Sequence, residues 1–132
     1  MVHISAIRTA NEAFVNSQPL VAVFSGATQG IGEYTLRTLV KYHGANGPGL
    51  RVYLIGRRQE PADKLFAEFK TISPSAEFVF VKAADLTLLK DADGACHEIL
   101  TMESKAPFRG GPPRVDLLCM TQGFVRFGEP KC

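Results

Sequence analysis

Four short apolar runs, separated by segments of helical spacing, constrain this chain more than any other feature of it. Residues 20–25 (LVAVFS), 51–55 (RVYLI), 77–82 (EFVFVK) and 115–120 (VDLLCM) are rich in Val, Leu, Ile, Phe and Tyr. Such runs read as strands buried on both faces. Between the second and third, Ala62, Leu65, Phe66, Phe69 and Ile72 fall on one helical stripe behind a Pro61 suited to a first turn. Ile31, Thr35, Leu36, Leu39 and Val40 form a similar face ending near Gly44, which reads as a C-terminal cap. A third face joins Leu88, Leu89, Ala92, Cys96, Ile99 and Leu100, weakened by Gly94 in mid-helix. Ile4, Ile7, Ala10, Phe14 and Val15 suggest one more helix ahead of the repeat, and the Gly/Pro clusters at 44–49 and 107–113 read as loops. Strands alternating with helices imply an α/β fold, a Rossmann-like doubly wound parallel sheet. Right-handed crossovers give the strand order 3-2-1-4, with the first two helices of the repeat on one face and the third on the other. One face is then thinly covered and the fourth strand is an edge, which predicts marginal stability, a tendency to aggregate, and an edge open to a protein partner or to a missing segment of the chain. The N-terminal helix would cover part of the gap.

At 132 residues the chain has room for one domain and none for a separate substrate module. Its 45% hydrophobic and 21% charged content excludes disorder, coiled coil and collagen. Fifteen Lys and Arg against thirteen Asp and Glu leave a net +2, too little to signal nucleic acid or an anionic membrane. The first twenty residues lack the basic start and apolar core of a secretory signal. No run approaches the roughly 20 apolar residues of a membrane span. Cys96, Cys119 and Cys132 have no CxxC spacing, which argues against a disulfide framework or a zinc site and for a reducing, cytoplasmic setting. Cys96, His97 and Glu98 are consecutive on a helix and cannot converge on a metal, while His3 and His43 read as solvated surface residues.

The first run passes through Ser25-Gly26-Ala27-Thr28-Gln29-Gly30-Ile31-Gly32 directly into a helix. A helix N-terminus offers unpaired N–H groups and a partial positive charge, so a glycine turn there can hold a pyrophosphate against the main chain. Side chains at Gly26, Gly30 or Gly32 would obstruct the turn, the phosphate or helix packing. The spacing GxxxGxG, without Lys-Ser/Thr, is not that of a nucleoside-triphosphate loop. Glycines in such a turn can also be purely structural, and the residues at the ends of the later strands decide between the two.

The second run ends in Gly56-Arg57-Arg58. In dinucleotide folds an acidic residue at this point binds a ribose diol, whereas two guanidiniums suit a 2′-phosphate. NADP(H) is therefore the expected cofactor, the alternative being a solvated strand terminus, with Glu60 the one nearby acid. The third run ends in Ala83-Ala84-Asp85-Leu86-Thr87, where Asp85 would accept from an adenine amine and Leu86 pack on the ring. Asp85 could equally cap the third helix, and the two roles are compatible. The fourth run ends in Thr121-Gln122-Gly123, beside the first strand where a crevice opens. The candidate cofactor contacts are thus Ser25, Gly26, Thr28, Gln29, Gly30, Ile31, Gly32, Arg57, Arg58, Asp85, Leu86, Thr121 and Gly123.

These motifs, in this order and each at a strand end, resemble the short-chain dehydrogenase/reductase family over about residues 20–123. The family's TGxxxGIG has Ser25 in place of its threonine, and Thr121-Gln122-Gly123 keeps only the glycine of its NAG. VFSGATQGIG, VYLIGRR and LLCMTQG together resemble the fungal secondary-metabolism branch. The resemblance implies hydride transfer between NADP(H) and a carbonyl or alcohol, by a Ser and a Tyr-x-x-x-Lys pair. No Tyr-x-x-x-Lys occurs here: Tyr34 is followed four later by Thr38, Tyr42 by Asn46 and Tyr53 by Arg57. The expectation is an N-terminal helical extension over 1–19 and a partial NADP-binding domain over 20–132 that stops before the catalytic residues. Two functional readings stay open, a reductase by lineage in an incomplete chain, and a non-catalytic nucleotide-binding or interaction module that completes its sheet with a partner.

Overall fold

The expected alternation of strands and helices is present in a computed structural model, which describes residues 1–123 apart from the side chain of Val15. Helix α1 (Ile4–Ser17) precedes β1 (Leu20–Ser25), α2 (Gly30–Leu39), β2 (Leu50–Gly56), α3 (Gln59–Ile72), β3 (Glu77–Lys82), α4 (Leu89–Lys105) and β4 (Leu117–Met120). The strands form one parallel sheet in the order β3-β2-β1-β4, the Rossmann-like arrangement. Residues 124–132, the end of the expected domain, lie outside the described residues.

β1 runs in register with β2 from Leu20↔Leu50 to Ser25↔Ile55 and with β4 from Ala22↔Leu117 to Ser25↔Met120. With a neighbour on each edge and helices over both faces, every β1 side chain is buried. Alternation sends them to two separate cores. Leu20, Ala22 and Phe24 join Leu50, Val52 and Leu54 against Leu36, Val40, Ala62, Leu65 and Phe69 of the α2/α3 layer. Val21 and Val23 join Tyr53, Ile55 and Val81 against Ala95 and Ile99 of α4 and Phe108 of the loop after it.

Burial on both faces does not extend to the outer strands. β3 is half-buried, and β4 leaves Leu118 and Met120 exposed by 58% and 66%. Each has one strand neighbour among the described residues, and α4 is the helix packed on the second core. Nor does α1 close that gap, since it leans on the turn after α2, on the α2/α3 side.

Two helix readings are corrected. Ile31 is exposed at the start of α2, and Leu89, Cys96 and Leu100 are exposed on α4, whose buried face is Ala95, Ile99 and Glu103. Glu103 explains the rotation. Its Oε1 accepts from Arg51 Nη1 at 2.6 Å and from the Tyr53 hydroxyl at 2.5 Å, while Arg51 also reaches Glu77 (2.7 Å) and the Ala106 carbonyl (2.8 Å). Turning α4 to bury Cys96 and Leu100 would strip those polar groups of their partner. Burial and the Glu103 bond push the Tyr53 pKa up to about 12.

The helix also does not stop at Gly44. α2 continues into a π turn, Val40–Gly44, and Gly44 serves as a point of close approach: an added Cβ would lie 3.2 Å from Leu50 Cδ2 and from Ser73 Oγ, and Ser73 Oγ donates to the Gly44 carbonyl at 2.6 Å. His43, expected on the surface, is buried in this turn, its Nε2–H donating to the Gly49 carbonyl at 3.1 Å. Burial lowers its pKa from the ordinary 6.5, the Gly49 bond opposing.

Glu103→Ala should cost about 1–3 kcal/mol in urea unfolding, because it leaves the buried Tyr53 hydroxyl without a partner while Arg51 keeps Glu77 and the Ala106 carbonyl; a loss under about 0.5 kcal/mol would show the cluster to be dispensable. Since the unfolded chain protonates His43 more readily than the folded one, the stability from neutral His43 is complete above about pH 6.5 and falls below it. Melting curves between about pH 8 and pH 5 should lose stability more steeply in the wild type than in His43→Asn.

Candidate nucleotide site

β1 stops at Ser25 because its backbone must turn at once into α2, and the turn is made by glycine. Gly26 has φ +82°, and a Cβ there would sit 2.5 Å from Gln122 N and 2.8 Å from its Cα. Gly32, inside the first turn of α2, faces the same wall, with an added Cβ 2.2 Å from Thr121 Oγ1 and 2.7 Å from the Gly26 carbonyl. Gly30 is different. Its φ is +64°, yet among the described residues nothing lies within 4 Å of its missing Cβ, so its bareness leaves open space at the start of the helix.

That open helix end is suited to an anion. No side chain caps it, and its one first-turn acid, Glu33, is engaged by Arg37 at 2.9 Å, which also holds Glu68 of α3. The N–H groups of the first turn and their partial positive charge are therefore not spent on the protein itself. Thr28 is half-buried in the loop, while Gln29 and Ile31 are exposed beside it. Ser25 Oγ is buried without a hydrogen-bond partner among the described residues.

The fourth strand supplies the wall. Thr121 N–H donates to the Ser25 carbonyl at 2.9 Å, and its hydroxyl reaches the Ser25 and Gly26 carbonyls, each at 3.2 Å. Thr121 is thus brought to the loop, with its hydroxyl turned toward the loop backbone. Gly123 stands clear among the described residues, with none of them within 4 Å of an added Cβ.

Arg57 and Arg58 follow the last residue of β2 and are exposed, and neither forms an ion pair among the described residues. Glu60 pairs with Lys64 at 3.4 Å and leaves both guanidiniums their charge. Asp85, at the end of β3, is near enough to feel Arg57. Its carboxyl is held below the usual range, first by the Thr87 hydroxyl, then by the Thr87 N–H, and last by the Arg57 charge. Those two bonds, 2.7 and 2.9 Å to Oδ1, make an Asx turn, so Asp85 is not the cap of α4; that place falls to Leu88. Leu86 packs on the second core and is half-buried.

Sequence reasoning missed two supports of this corner. Thr87 orients Asp85, a role that the Asp-x-Thr spacing could have disclosed, and Asp91 Oδ2 accepts from the Asp85 N–H at 2.9 Å from the first turn of α4. Of the tyrosines, Tyr53 is buried in the Glu103 cluster and Tyr34 and Tyr42 are exposed. Among the described residues no three His, Cys, Asp or Glu side chains gather to hold a metal, and no helix is long and apolar enough to cross a membrane.

No family model matches the chain. It is 34% identical over 131 residues to short-chain dehydrogenase/reductase SAT2 of Stachybotrys chartarum, an alignment covering 99% of this chain and 37% of that protein. Oxidoreductase AN1596 of Emericella nidulans is 31% identical over 128 residues, with 97% of this chain and 34% of that one covered. The chain therefore spans about a third of the length of the curated relatives it matches. Among solved structures, YwfH, an NADPH dependent reductase involved in bacilysin biosynthesis, superposes with a TM-score of 0.61 over 87% of this chain and 40% of its own. At 19% identity that likeness speaks to the fold.

The loop geometry orders two substitutions. Gly30→Ala meets open space and should cost only the left-handed backbone penalty, about 1–2 kcal/mol. Gly26→Ala adds a clash with the Gln122 backbone and should cost about 3 kcal/mol. Urea unfolding of the pair checks this, and the reverse order would refute the crowding at Gly26.

Proposed function

We propose, from the premise that this chain belongs to the short-chain dehydrogenase/reductase family, that residues 20–123 form an NADP(H)-binding unit of a reductase. The observation that carries the reading is the pair of exposed guanidiniums, Arg57 and Arg58, which have no ion pair among the described residues and follow β2 at the same carboxyl end of the parallel sheet as the glycine loop, with Asp85 near Arg57. The first turn of α2, with Gly26, Thr28, Gln29, Gly30, Ile31 and Gly32 around it, would hold the pyrophosphate. Ser25 Oγ and Thr121 stand behind that loop. Arg57 and Arg58 would pair with the 2′-phosphate, which gives the cofactor preference its electrostatic basis. Asp85, with Oδ1 occupied by Thr87, keeps its second oxygen for an adenine amine, and Leu86 offers its exposed edge to the ring. Gly123 continues the crevice.

Bound NADP(H) supplies or takes the hydride in exchange with a carbonyl or alcohol. The acid–base pair for that exchange is not in these 132 residues, which lack Tyr-x-x-x-Lys. A role in secondary-metabolite biosynthesis belongs to the same proposal, supported by the likeness to fungal oxidoreductases. So does a cytoplasmic location, in keeping with the free thiols of Cys96 and Cys119.

A second reading, a non-catalytic nucleotide-binding module that completes its sheet with a protein partner, is favoured by one observation. β4 leaves Leu117, Leu118 and Met120 exposed on an edge with no further strand among the described residues.

Titration of the purified chain should show NADPH binding about 10- to 100-fold tighter than NADH, and Arg57→Ala/Arg58→Ala should erase the difference. Equal affinity for the two would overturn the cofactor assignment. The chain alone should not oxidise NADPH with a panel of carbonyl compounds; turnover lost on Gly30→Val would show that it is catalytically complete.

A further inference from the structure

β4 ends where the phosphate loop begins, and the two are built into each other. Three contacts make the joint. The Thr121 N–H pairs with the Ser25 carbonyl at 2.9 Å, the Thr121 hydroxyl is shared between the Ser25 and Gly26 carbonyls at 3.2 Å each, and the Gln122 backbone occupies the space a Gly26 side chain would need. Gly32 is bare for the same reason, since its Cβ would fall 2.2 Å from Thr121 Oγ1. Gly26 is thus required by the neighbour of Thr121, Gly32 by Thr121 together with the Gly26 carbonyl and Ala27 Cα of the loop itself, and the third glycine faces open space among the described residues. A carbonyl at the turn that is tied to β4 cannot rotate toward the helix end, where it would repel an anion.

We propose that Thr121 is a positioning residue for the phosphate loop. Its hydroxyl holds the Ser25 and Gly26 carbonyls back, so that the open N–H groups of α2 meet the ligand without a competing carbonyl dipole. This inference rests on the NADP(H) reading for its ligand, but the loop order it asserts is a property of the free chain. The residue at this place is 96 positions from Ser25, so the tie is made only when β4 is paired to β1.

The test uses Thr121→Val, which keeps the shape and removes the hydroxyl, and Thr121→Ser, which restores it. Affinity for NADPH should fall about tenfold in Thr121→Val and return to within about twofold of wild type in Thr121→Ser, while affinity for adenosine 2′-monophosphate, which reaches Arg57 and Asp85 but not the loop, should not change. Unaltered NADPH affinity in Thr121→Val would overturn the proposal, as would an equal loss for both ligands, which marks general damage. Amide hydrogen exchange of the unliganded proteins gives a second reading. Exchange at Gly26–Gly30 should quicken in Thr121→Val while that of β3 stays as it is, and unchanged loop exchange would overturn the proposal whether or not NADPH binds. Failure of the wild type to bind NADPH would remove the cofactor reading alone and leave the exchange comparison to decide the role of Thr121.

Discussion

Everything at the candidate site hangs from the point where β1 stops. β1 is paired on both edges and buried on both faces, with Phe24 in one core and Val23 in the other. A slip of one residue against β2 would exchange the two sets of side chains and put each into the wrong core, so the register is strongly specified. That register fixes the height at which Ser25 ends the strand and Gly26 begins the turn. The same ladder sets Ile55 and Met120 beside Ser25, so that the ends of β2 and β4 arrive level with the loop. Arg57 and Thr121 are therefore placed by strand pairing, and no local sequence around either could do it.

The opposite end of the sheet is held by charge. The second core is small, for α4 buries little more than Ala95, Ile99 and part of Met102. Apolar area of that extent does not choose one face of a helix over the next. Glu103 does, because Arg51 and Tyr53 wait for it beneath the C-terminal end of α4, and Arg51 lies over the Phe108 ring at 4.9 Å. A buried ion pair of this kind adds little net stability compared with apolar residues of similar volume. What it contributes is orientation, and through α4 it bears on the site, since Asp91 in the first turn of that helix holds the Asp85 amide.

This division explains which parts could be read from the sequence. β1 and β3 show their bounds directly, because uninterrupted Val, Phe and Leu runs carry the signal in themselves. The faces of α2 and α3 are legible at Leu36, Val40, Ala62, Leu65 and Phe69 for the same reason. The α4 face is not, because its deciding residue is a glutamate, which periodicity counts as surface. Gly44 and His43 were hidden by a π turn, which shifts side chains off the 3.6-residue period and buries a ring that composition assigns to solvent. In the site, the glycine loop and the arginines announce themselves by position. The tie from Thr121 to Gly26 spans 95 residues and involves main-chain carbonyls, so no motif could have carried it.

β4 consequently has two sides of different character. Its end is built into the glycine loop, while Leu118 and Met120, on the same face as Val23 and the second core, stand open. An exposed apolar edge strand favours pairing with another strand. If, as proposed for Thr121, the loop is ordered only when β4 is docked, a ligand that binds the ordered loop would add RT ln(1 + [L]/Kd) to that docked state. On the NADP(H) proposal, occupancy of the site and completion of the sheet at β4 would therefore favour the same conformation, and each would strengthen the other by the same factor. A nucleotide-loaded chain would accordingly present its open edge as a formed strand, and a chain whose edge is covered would meet the nucleotide with its loop already set.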